Sequence, residues 1–190
     1  MLVPGRFMVV QRLRVGLLCD QVSNHVSQSV NHRLTEIHAE ANPYVMIPMG
    51  PEDDLIVTAC DALAAGEVVS LPTETVYGFA CDARNEAALN RLFELKGRPS
   101  NVPLPVALAQ GAWAESWQRQ TDERLWRLAE KWWPGPLTIV VPAPEATSPI
   151  LSAGLGTVAL RVPDHALTRR IITHFGRAVA LTSANRHGEP

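Results

Sequence analysis

The sequence lacks a strong net charge, a membrane-spanning apolar run and a set of paired cysteines. Lys and Arg number 17 against 19 Asp and Glu, so the net charge of −2 gives no global attraction to nucleic acid or to an anionic membrane. No apolar run approaches the length that spans a bilayer. The cysteines Cys19, Cys60 and Cys81 are an odd, scattered set, which favours thiols in a reducing cytoplasm over a zinc site or disulfides.

The sequence has what a folded α/β domain needs. Its 190 residues suit one domain, with or without an appendage, and 46% hydrophobic content is enough for a core. Strand and helix patterns alternate without an internal repeat, which favours a layered α/β fold. The predicted order is helix 55–63, strand 67–71, a helix from Asn85 to Gly97, strand 104–109, a helix from Thr121 with Leu125, Leu128, Ala129 and Trp132 on one face, strands 137–141 and 157–162, a helix capped by Asp164, and strand 178–182.

The first 50 residues differ from the rest, and we predict an extension or linker at 1–50 and a domain at 51–190. Pro43 to Pro51 has the composition of a linker. Three arginines before the first acidic residue, Asp20, are compatible with an organelle-targeting segment. The other interpretation is a disordered tail or an over-extended reading frame, with Met46 or Met49 as the physiological start. Mass spectrometry of the native N-terminus would decide between them.

The segment Leu71 to Pro105 carries the clearest chemistry. A strand ends at Pro72, so Thr73, Glu74, Thr75 and Tyr77 fall on a polar turn, where small ligands are commonly held. In the helix that follows, Lys96 is in the last turn, Gly97 stops the helix, and Arg98 comes next. One lysine there is explained by the helix dipole. A lysine and an arginine around a glycine form a cation pair suited to a polyphosphate.

Two later strands carry polar residues among apolar ones. Thr157 and Arg161 are four residues apart and share a strand face, where the cation needs an anion: either a structural carboxylate or a ligand. Ser183 and Asn185 follow the last strand, as turn formers or as part of a site. His165 and His174 have no partner at metal-ligand spacing, so no metal site is predicted. The five tryptophans favour core or cavity wall over a base-stacking platform.

Taken in order, five blocks resemble the YrdC/Sua5 family, the threonylcarbamoyl-adenylate synthases, from about Asp54 to Pro190. The blocks are PTETVYG, KGRP followed by PLP, PGPLT, LRVP and TSAN. The resemblance implies a twisted mixed sheet with flanking helices and a concave nucleotide-binding cavity. It also implies a reaction in which L-threonine, bicarbonate or CO2, and ATP give threonylcarbamoyl-AMP and pyrophosphate, for the t6A modification of tRNA.

The resemblance also implies roles for individual residues. Lys96 and Arg98 would be catalytic. They would also bind ATP, together with Thr157, Ser183 and Asn185. L-Threonine would be held by Thr75, Tyr77, Arg161 and Leu181. Mg²⁺ would be bound through the phosphates of ATP. A transferase complex would use the product, with tRNA or double-stranded RNA as a further contact.

Two rival functions stay open. A non-catalytic RNA-binding module predicts salt-dependent RNA affinity without threonine-dependent ATP consumption. A carbamoyl-adenylating domain, as in hydrogenase maturation, would take carbamoyl phosphate in place of threonine and bicarbonate.

The chain departs from the family pattern in two places. Val102 and Ala107 stand where many two-domain relatives carry asparagine and histidine, which removes one expected nucleotide contact and one threonine contact. Family domains also continue past the SANxxGxP motif that here runs to Pro190. We therefore expect an extended chain to be more stable and more active than these 190 residues. Equal thermal stability and turnover would contradict this.

Overall fold

A computed structural model describes residues 51–109 and 122–185, together with the backbone of 8–11 and 44–47. The strands are β1 Met8–Gln11, β2 Tyr44–Ile47, β3 Val69–Leu71, β4 Gly78–Asp82, β5 Val106–Ala107, β6 Ile139–Pro142, β7 Thr157–Arg161 and β8 Val179–Ser183. The helices are α1 Glu52–Ala64, α2 Glu86–Lys96, α3 Glu123–Trp132, α4 Pro149–Ser152 and α5 Ala166–Phe175.

The described strands form one mixed sheet in the order β2-β1-β3-β4-β8-β5-β7-β6. The strands β5 and β7 run parallel, and the other neighbouring pairs are antiparallel. This confirms the α/β class with a mixed sheet. The order also places β8, the last described strand, between β4 and β5 in the middle of the sheet.

Helices cover both faces of this sheet. Leu89 of α2 and Trp126 of α3 belong to one apolar cluster, whereas Ile56 of α1 and Ile171 of α5 belong to a second. Successive strand residues alternate between the two clusters, as Val179, Ala180 and Leu181 of β8 do. The central strands β3 and β8 are therefore buried on both sides, whereas the edge strand β6 exposes every second residue.

The helix α2 follows its sequence signals closely. Asn85 caps it through a hydrogen bond of 3.1 Å from the Ala88 N–H to Oδ1. Gly97 ends it with φ 57°, the left-handed conformation that a residue with a Cβ adopts only at a cost. The last helical residue is Lys96, and the chain turns sharply before Arg98. The predicted placement of this cation pair at a helix end is confirmed.

Three predicted local features are wrong. The face of α3 that is buried carries Trp126 and Ala129, whereas Leu128 and Trp132 are 44% and 52% exposed. Asp164 does not cap α5: His165 is the cap residue, and the Asp164 carboxylate accepts a hydrogen bond from Arg169 instead. Residues 78–82 form a strand that the sequence pattern did not predict, because these residues show no clear alternation of polar and apolar side chains.

The edge of the sheet includes part of the N-terminal region. Residues 44–47 lie inside the Pro43 to Pro51 passage for which a linker was predicted, yet they pair with β1 as an antiparallel strand. In turn, β1 pairs with β3 through Val10 and Val69. A division of the chain at residue 50 stays a prediction.

Candidate active site

The polar turn between β3 and β4 is organised by the side chain of Thr73. Its hydroxyl oxygen accepts hydrogen bonds from the backbone N–H groups of Thr75 at 3.2 Å and Val76 at 3.1 Å. A threonine hydroxyl that accepts hydrogen bonds from the N–H groups two and three residues further along is a common way to fix a tight turn. The turn predicted from Pro72 therefore exists, and it holds Thr75 in a defined position.

A cavity of about 200 Å³ opens beside this turn. It lies at the ends of β5, β7 and β8, and four of the residues predicted to bind substrate line it: Thr75, Arg161, Leu181 and Ser183. The described lining also includes residues without a predicted role: Thr73, Val76, Gly78, Pro105, Val106, Ala107, Thr138 and Thr182. The cavity is a suitable size for a small polar molecule such as an amino acid.

Arg161 pairs with a structural carboxylate and also lines the cavity, so neither of the two alternatives left open by its sequence position excludes the other. One guanidinium nitrogen, Nη2, forms an ion pair with the Glu74 carboxylate, and Nε donates to the Gly135 carbonyl at 3.2 Å. At the same time Arg161 lines the cavity. A structural carboxylate partner is therefore present, and the same arginine still faces the space where a ligand would bind.

Glu74 is the polar residue whose importance the sequence did not reveal. Its second carboxylate oxygen accepts a hydrogen bond of 3.0 Å from the backbone N–H of Asp164, just after β7. The available signal was a carboxylate in the polar turn together with a strand arginine that needed an anion. Sequence separation hid the pair, since the two residues are 87 positions apart.

A second group of residues surrounds Lys96, which is only 3% exposed. Its ammonium donates to the backbone carbonyls of Ser183 and Asn185, the latter at 2.7 Å, and lies 3.4 Å from the Ser183 hydroxyl. Burial, and then the nearby charge of Arg98, lower the pKa of Lys96. The structure thus brings Lys96, Ser183 and Asn185 together, as predicted.

Arg98 lies near Lys96, and among the described residues one hydrogen bond holds its guanidinium, from Nη2 to the Pro103 carbonyl at 2.9 Å. Its Nε is buried and makes no hydrogen bond to any residue in the described part of the chain. Burial also lowers the pKa of the Arg98 guanidinium. A buried cationic donor without an acceptor carries a desolvation cost that a bound anion would relieve.

Ser183 joins the cavity to Lys96. It lines the cavity, it lies beside Lys96, and its hydroxyl donates to Asn185 Oδ1 at 2.5 Å. A ligand with a polar head in the cavity and an anionic tail at Lys96 would therefore contact one continuous surface. Such a surface can hold two reactants next to each other, which is the main requirement for a transfer reaction that needs no protein acid or base.

Two predicted site residues lie away from this surface. The Tyr77 side chain is 44% exposed and does not line the cavity, although the Tyr77 carbonyl accepts a hydrogen bond from the Ala184 N–H at 2.9 Å. Thr157 begins β7 and Arg161 ends it, so the two share a face but are separated by the length of the strand. The roles of Tyr77 and Thr157 stay predictions.

The remaining sequence predictions have mixed outcomes. Trp126 and Trp133 are buried in the core and Trp132 is exposed, while Trp113 and Trp117 lie outside the described residues. Ala107 lines the cavity, so its small side chain leaves space there.

Residues 51–109 and 122–185 hold no group of three His, Cys, Asp or Glu that could bind a metal. Nor do they contain a helix of the length and apolarity that crossing a membrane requires.

Comparison with known sequences decides the family. A profile of the Sua5, YciO and YrdC proteins, described as telomere recombination, matches residues 61–190. The chain belongs to the Sua5/YciO/YrdC family. It is 41% identical over 143 residues to a threonylcarbamoyl-AMP synthase of Bacillus subtilis, and 38% identical over 131 residues to one of Vibrio vulnificus. The matched region covers 75% of this chain but 41% of the Bacillus protein, and 67% of this chain and 70% of the Vibrio protein.

A solved structure of the same family agrees with the fold. The crystal structure of Pyrococcus abyssi Sua5 complexed with L-threonine superposes with a TM-score of 0.70 at 37% identity. The superposition covers 75% of this chain and 42% of that one. The chain thus has the Sua5/YciO/YrdC fold and spans about two fifths of the length of the Bacillus and Pyrococcus proteins.

Proposed function

We propose that this protein is an L-threonylcarbamoyladenylate synthase, a nucleotidyltransferase that makes threonylcarbamoyl-AMP from L-threonine, bicarbonate or CO2, and ATP. The observation that carries the proposal is the contact between two sites of different chemistry. A cavity of amino-acid size, lined by Thr75, Arg161 and Leu181, meets the buried Lys96 at Ser183, and the half-buried Arg98 lies near Lys96. That the Pyrococcus relative binds L-threonine supports the assignment of the cavity.

The reaction needs positioning and charge stabilisation more than proton transfer. The threonine nitrogen forms a bond to the carbon of CO2 and loses a proton to solvent, which gives N-carboxythreonine. An oxygen of that new carboxylate then attacks the α-phosphorus of ATP, the bond from that phosphorus to the bridging oxygen breaks, and pyrophosphate leaves with its electron pair. Arg161 would hold the threonine carboxylate, while Thr75, Tyr77 and Leu181 complete its pocket.

Lys96 and Arg98 would stabilise the phosphate charge that develops at the transition state. Lys96 is buried and Arg98 is half-buried with a buried Nε, so their interactions with phosphate oxygens are stronger than in water. Ser183, Asn185 and Thr157 would complete the nucleotide site. When bound, Mg²⁺ neutralises part of the triphosphate charge. It would be held through phosphate oxygens, as Mg²⁺ commonly is in nucleotide sites.

The product is a mixed anhydride, which reacts with water, so a second enzyme must consume it promptly. We place the protein in the cytoplasm beside the transferase complex that moves the threonylcarbamoyl group to tRNA. A direct tRNA contact would require a local basic patch, since the net charge of −2 provides no general attraction.

A pyrophosphate-release assay tests this proposal. We expect release that requires ATP, L-threonine and bicarbonate together. Release with carbamoyl phosphate in place of threonine and bicarbonate would favour carbamoyl adenylation. RNA binding that weakens steeply with salt, without any threonine-dependent ATP consumption, would favour a non-catalytic RNA-binding module.

A further inference from the structure

The polar turn of residues 72–76 is fastened to the end of β7 and the start of α5. Glu74 forms an ion pair with Arg161 through one carboxylate oxygen and accepts the Asp164 N–H through the other, at 3.0 Å. One turn further along, the fully buried Thr168 donates its hydroxyl proton to the Pro72 carbonyl at 2.5 Å. Two segments that are about 90 residues apart in the chain are thus joined beside the cavity.

The bonds of Arg161 divide its guanidinium into an occupied and an open part. Nε donates to Gly135 and Nη2 pairs with Glu74, whereas Nη1 makes no hydrogen bond within the described part of the chain. A guanidinium has five N–H donors in a rigid planar fork, so fixing two nitrogens fixes the direction of the third. Since Arg161 also lines the cavity, the remaining donors are available to an anion bound there.

The ion pair between Arg161 and Glu74 is shielded enough from solvent to fix the orientation of the guanidinium. The side chains of Arg161 and Glu74 are 21% and 20% exposed, well below those of the surface pair Arg170 and Glu52 at 49% and 51%. Charge-assisted hydrogen bonds are stronger than neutral ones, and both carboxylate oxygens of Glu74 are used. An arginine with four flexible side-chain torsions would otherwise have to be ordered by the ligand itself, at the expense of affinity.

We propose that Glu74 is a positioning residue that orients Arg161 for the carboxylate of L-threonine. The proposal rests on the proposed function, because it takes the amino-acid substrate from it. Glu74 does not touch the substrate in this scheme. It acts through Arg161, and it also fixes the turn that carries Thr75.

The first variant is Glu74→Gln, which keeps the size of the side chain and removes its charge. We expect the KM for L-threonine to rise about 10- to 100-fold, the loss that corresponds to one charge-assisted hydrogen bond, with the KM for ATP unchanged. The matched control is Glu52→Gln, which removes the carboxylate of an exposed ion pair with Arg170 and is expected to change neither constant.

A second measurement separates orientation of Arg161 from general loosening of the site. Binding of L-threonine and of L-threoninamide, which lacks the carboxylate, is measured by calorimetry for wild type and Glu74→Gln. We expect the variant to lose affinity for threonine and to keep its affinity for the amide. Equal weakening of both ligands would overturn the positioning role.

Failure of this proposal is distinguishable from failure of the proposed function. If the wild type binds no L-threonine, both are overturned. If the wild type binds L-threonine and Glu74→Gln binds it equally well, only the role of Glu74 is overturned. Should Glu74→Gln fail to fold, Glu74→Asp replaces it: the shorter carboxylate cannot reach both Arg161 and the Asp164 N–H, so a threonine-specific loss is still expected, and unchanged affinity would overturn the proposal.

Discussion

The ammonium nitrogen of Lys96 lies 2.7 Å from the backbone carbonyl oxygen of Asn185, which is 89 residues further along the chain. The same ammonium also bonds to the Ser183 carbonyl at the end of β8. Lys96 therefore stabilises the fold in addition to its proposed role at the nucleotide. It donates hydrogen bonds to two backbone carbonyls at and just after the end of β8. In the described part of the chain Arg98 makes one such bond, to Pro103, so the fold depends less on Arg98 than on Lys96.

Replacing these two cations should separate stability from catalysis. We expect Lys96→Met to lower the free energy of unfolding by about 1–3 kcal/mol, because it leaves carbonyl oxygens without a donor, and Arg98→Met to lower it less. Both should reduce pyrophosphate release by on the order of 10² to 10³. Urea denaturation and the release assay measure the two effects. Lys131→Met, at an exposed lysine above the Trp132 ring, is the control; near-normal turnover in either site variant would refute the nucleotide assignment.

The lowered pKa of Lys96 makes a prediction about pH. Phosphate binds the protonated ammonium, so ATP affinity should be constant below the folded-state pKa and fall as pH rises through it, before the ordinary lysine value of 10.5 is reached. The unfolded state keeps the ordinary value and holds the proton more tightly, so the free energy of unfolding should rise with pH over the same interval. Calorimetry from about pH 7 to about pH 10 tests the affinity. Affinity that is flat over this range would contradict the prediction.

Gly78 lines the cavity, and its lack of a side chain keeps the cavity open. A Cβ added there would lie 2.6 Å from Leu181 Cδ1 and 3.0 Å from the Thr182 carbonyl oxygen. Because the leucine is the more easily moved of the two, we expect Gly78→Ala to push Leu181 into the proposed threonine pocket. The affinity for L-threonine should then fall several-fold more than that for ATP, as calorimetry would measure. Equal losses would mean that the backbone had shifted instead.

The buried thiols should be unreactive. Burial, with a smaller contribution from the Asp82 charge, raises the pKa of Cys81 to about 12, and burial also raises the pKa of Cys60. The reactive thiolate is therefore almost absent at neutral pH. In a Cys19→Ser background, a thiol reagent should modify neither cysteine in the native protein and both after denaturation. Rapid labelling of Cys81 in the native state would contradict its burial.

What the sequence predicted well is local. The helix from Asn85 to Gly97 was predicted from its cap, its apolar spacing and its stop, and all three are present because each depends on neighbouring residues. The polar turn was predicted from Pro72 for the same reason. The cation pair was predicted from the same local signals. The part of the site whose residues lie close together in the sequence was therefore the part best predicted.

What it could not predict depends on partners far along the chain. Asp164 has the sequence position of a helix cap. In the fold, however, its carboxylate accepts a hydrogen bond from Arg169, and its backbone N–H donates to Glu74. The strand Gly78–Asp82 has no clear alternation, and it is a strand because β3 and β8 lie on its two sides. The pairing of Glu74 with Arg161 could be stated only as one of two alternatives until the sheet order was known.

That sheet order also has a consequence for how the site comes into being. The contacts Lys96 to Ser183 and Glu74 to Arg161 each span 87 residues, and Thr168 to Pro72 spans 96. Closing chain segments of this length is a slow, late event in folding, and on the ribosome it must wait until β8 has left the exit tunnel. A nascent chain therefore cannot form the candidate site until β8 is inserted, and a ligand that bound only the completed sheet would stabilise it by mass action.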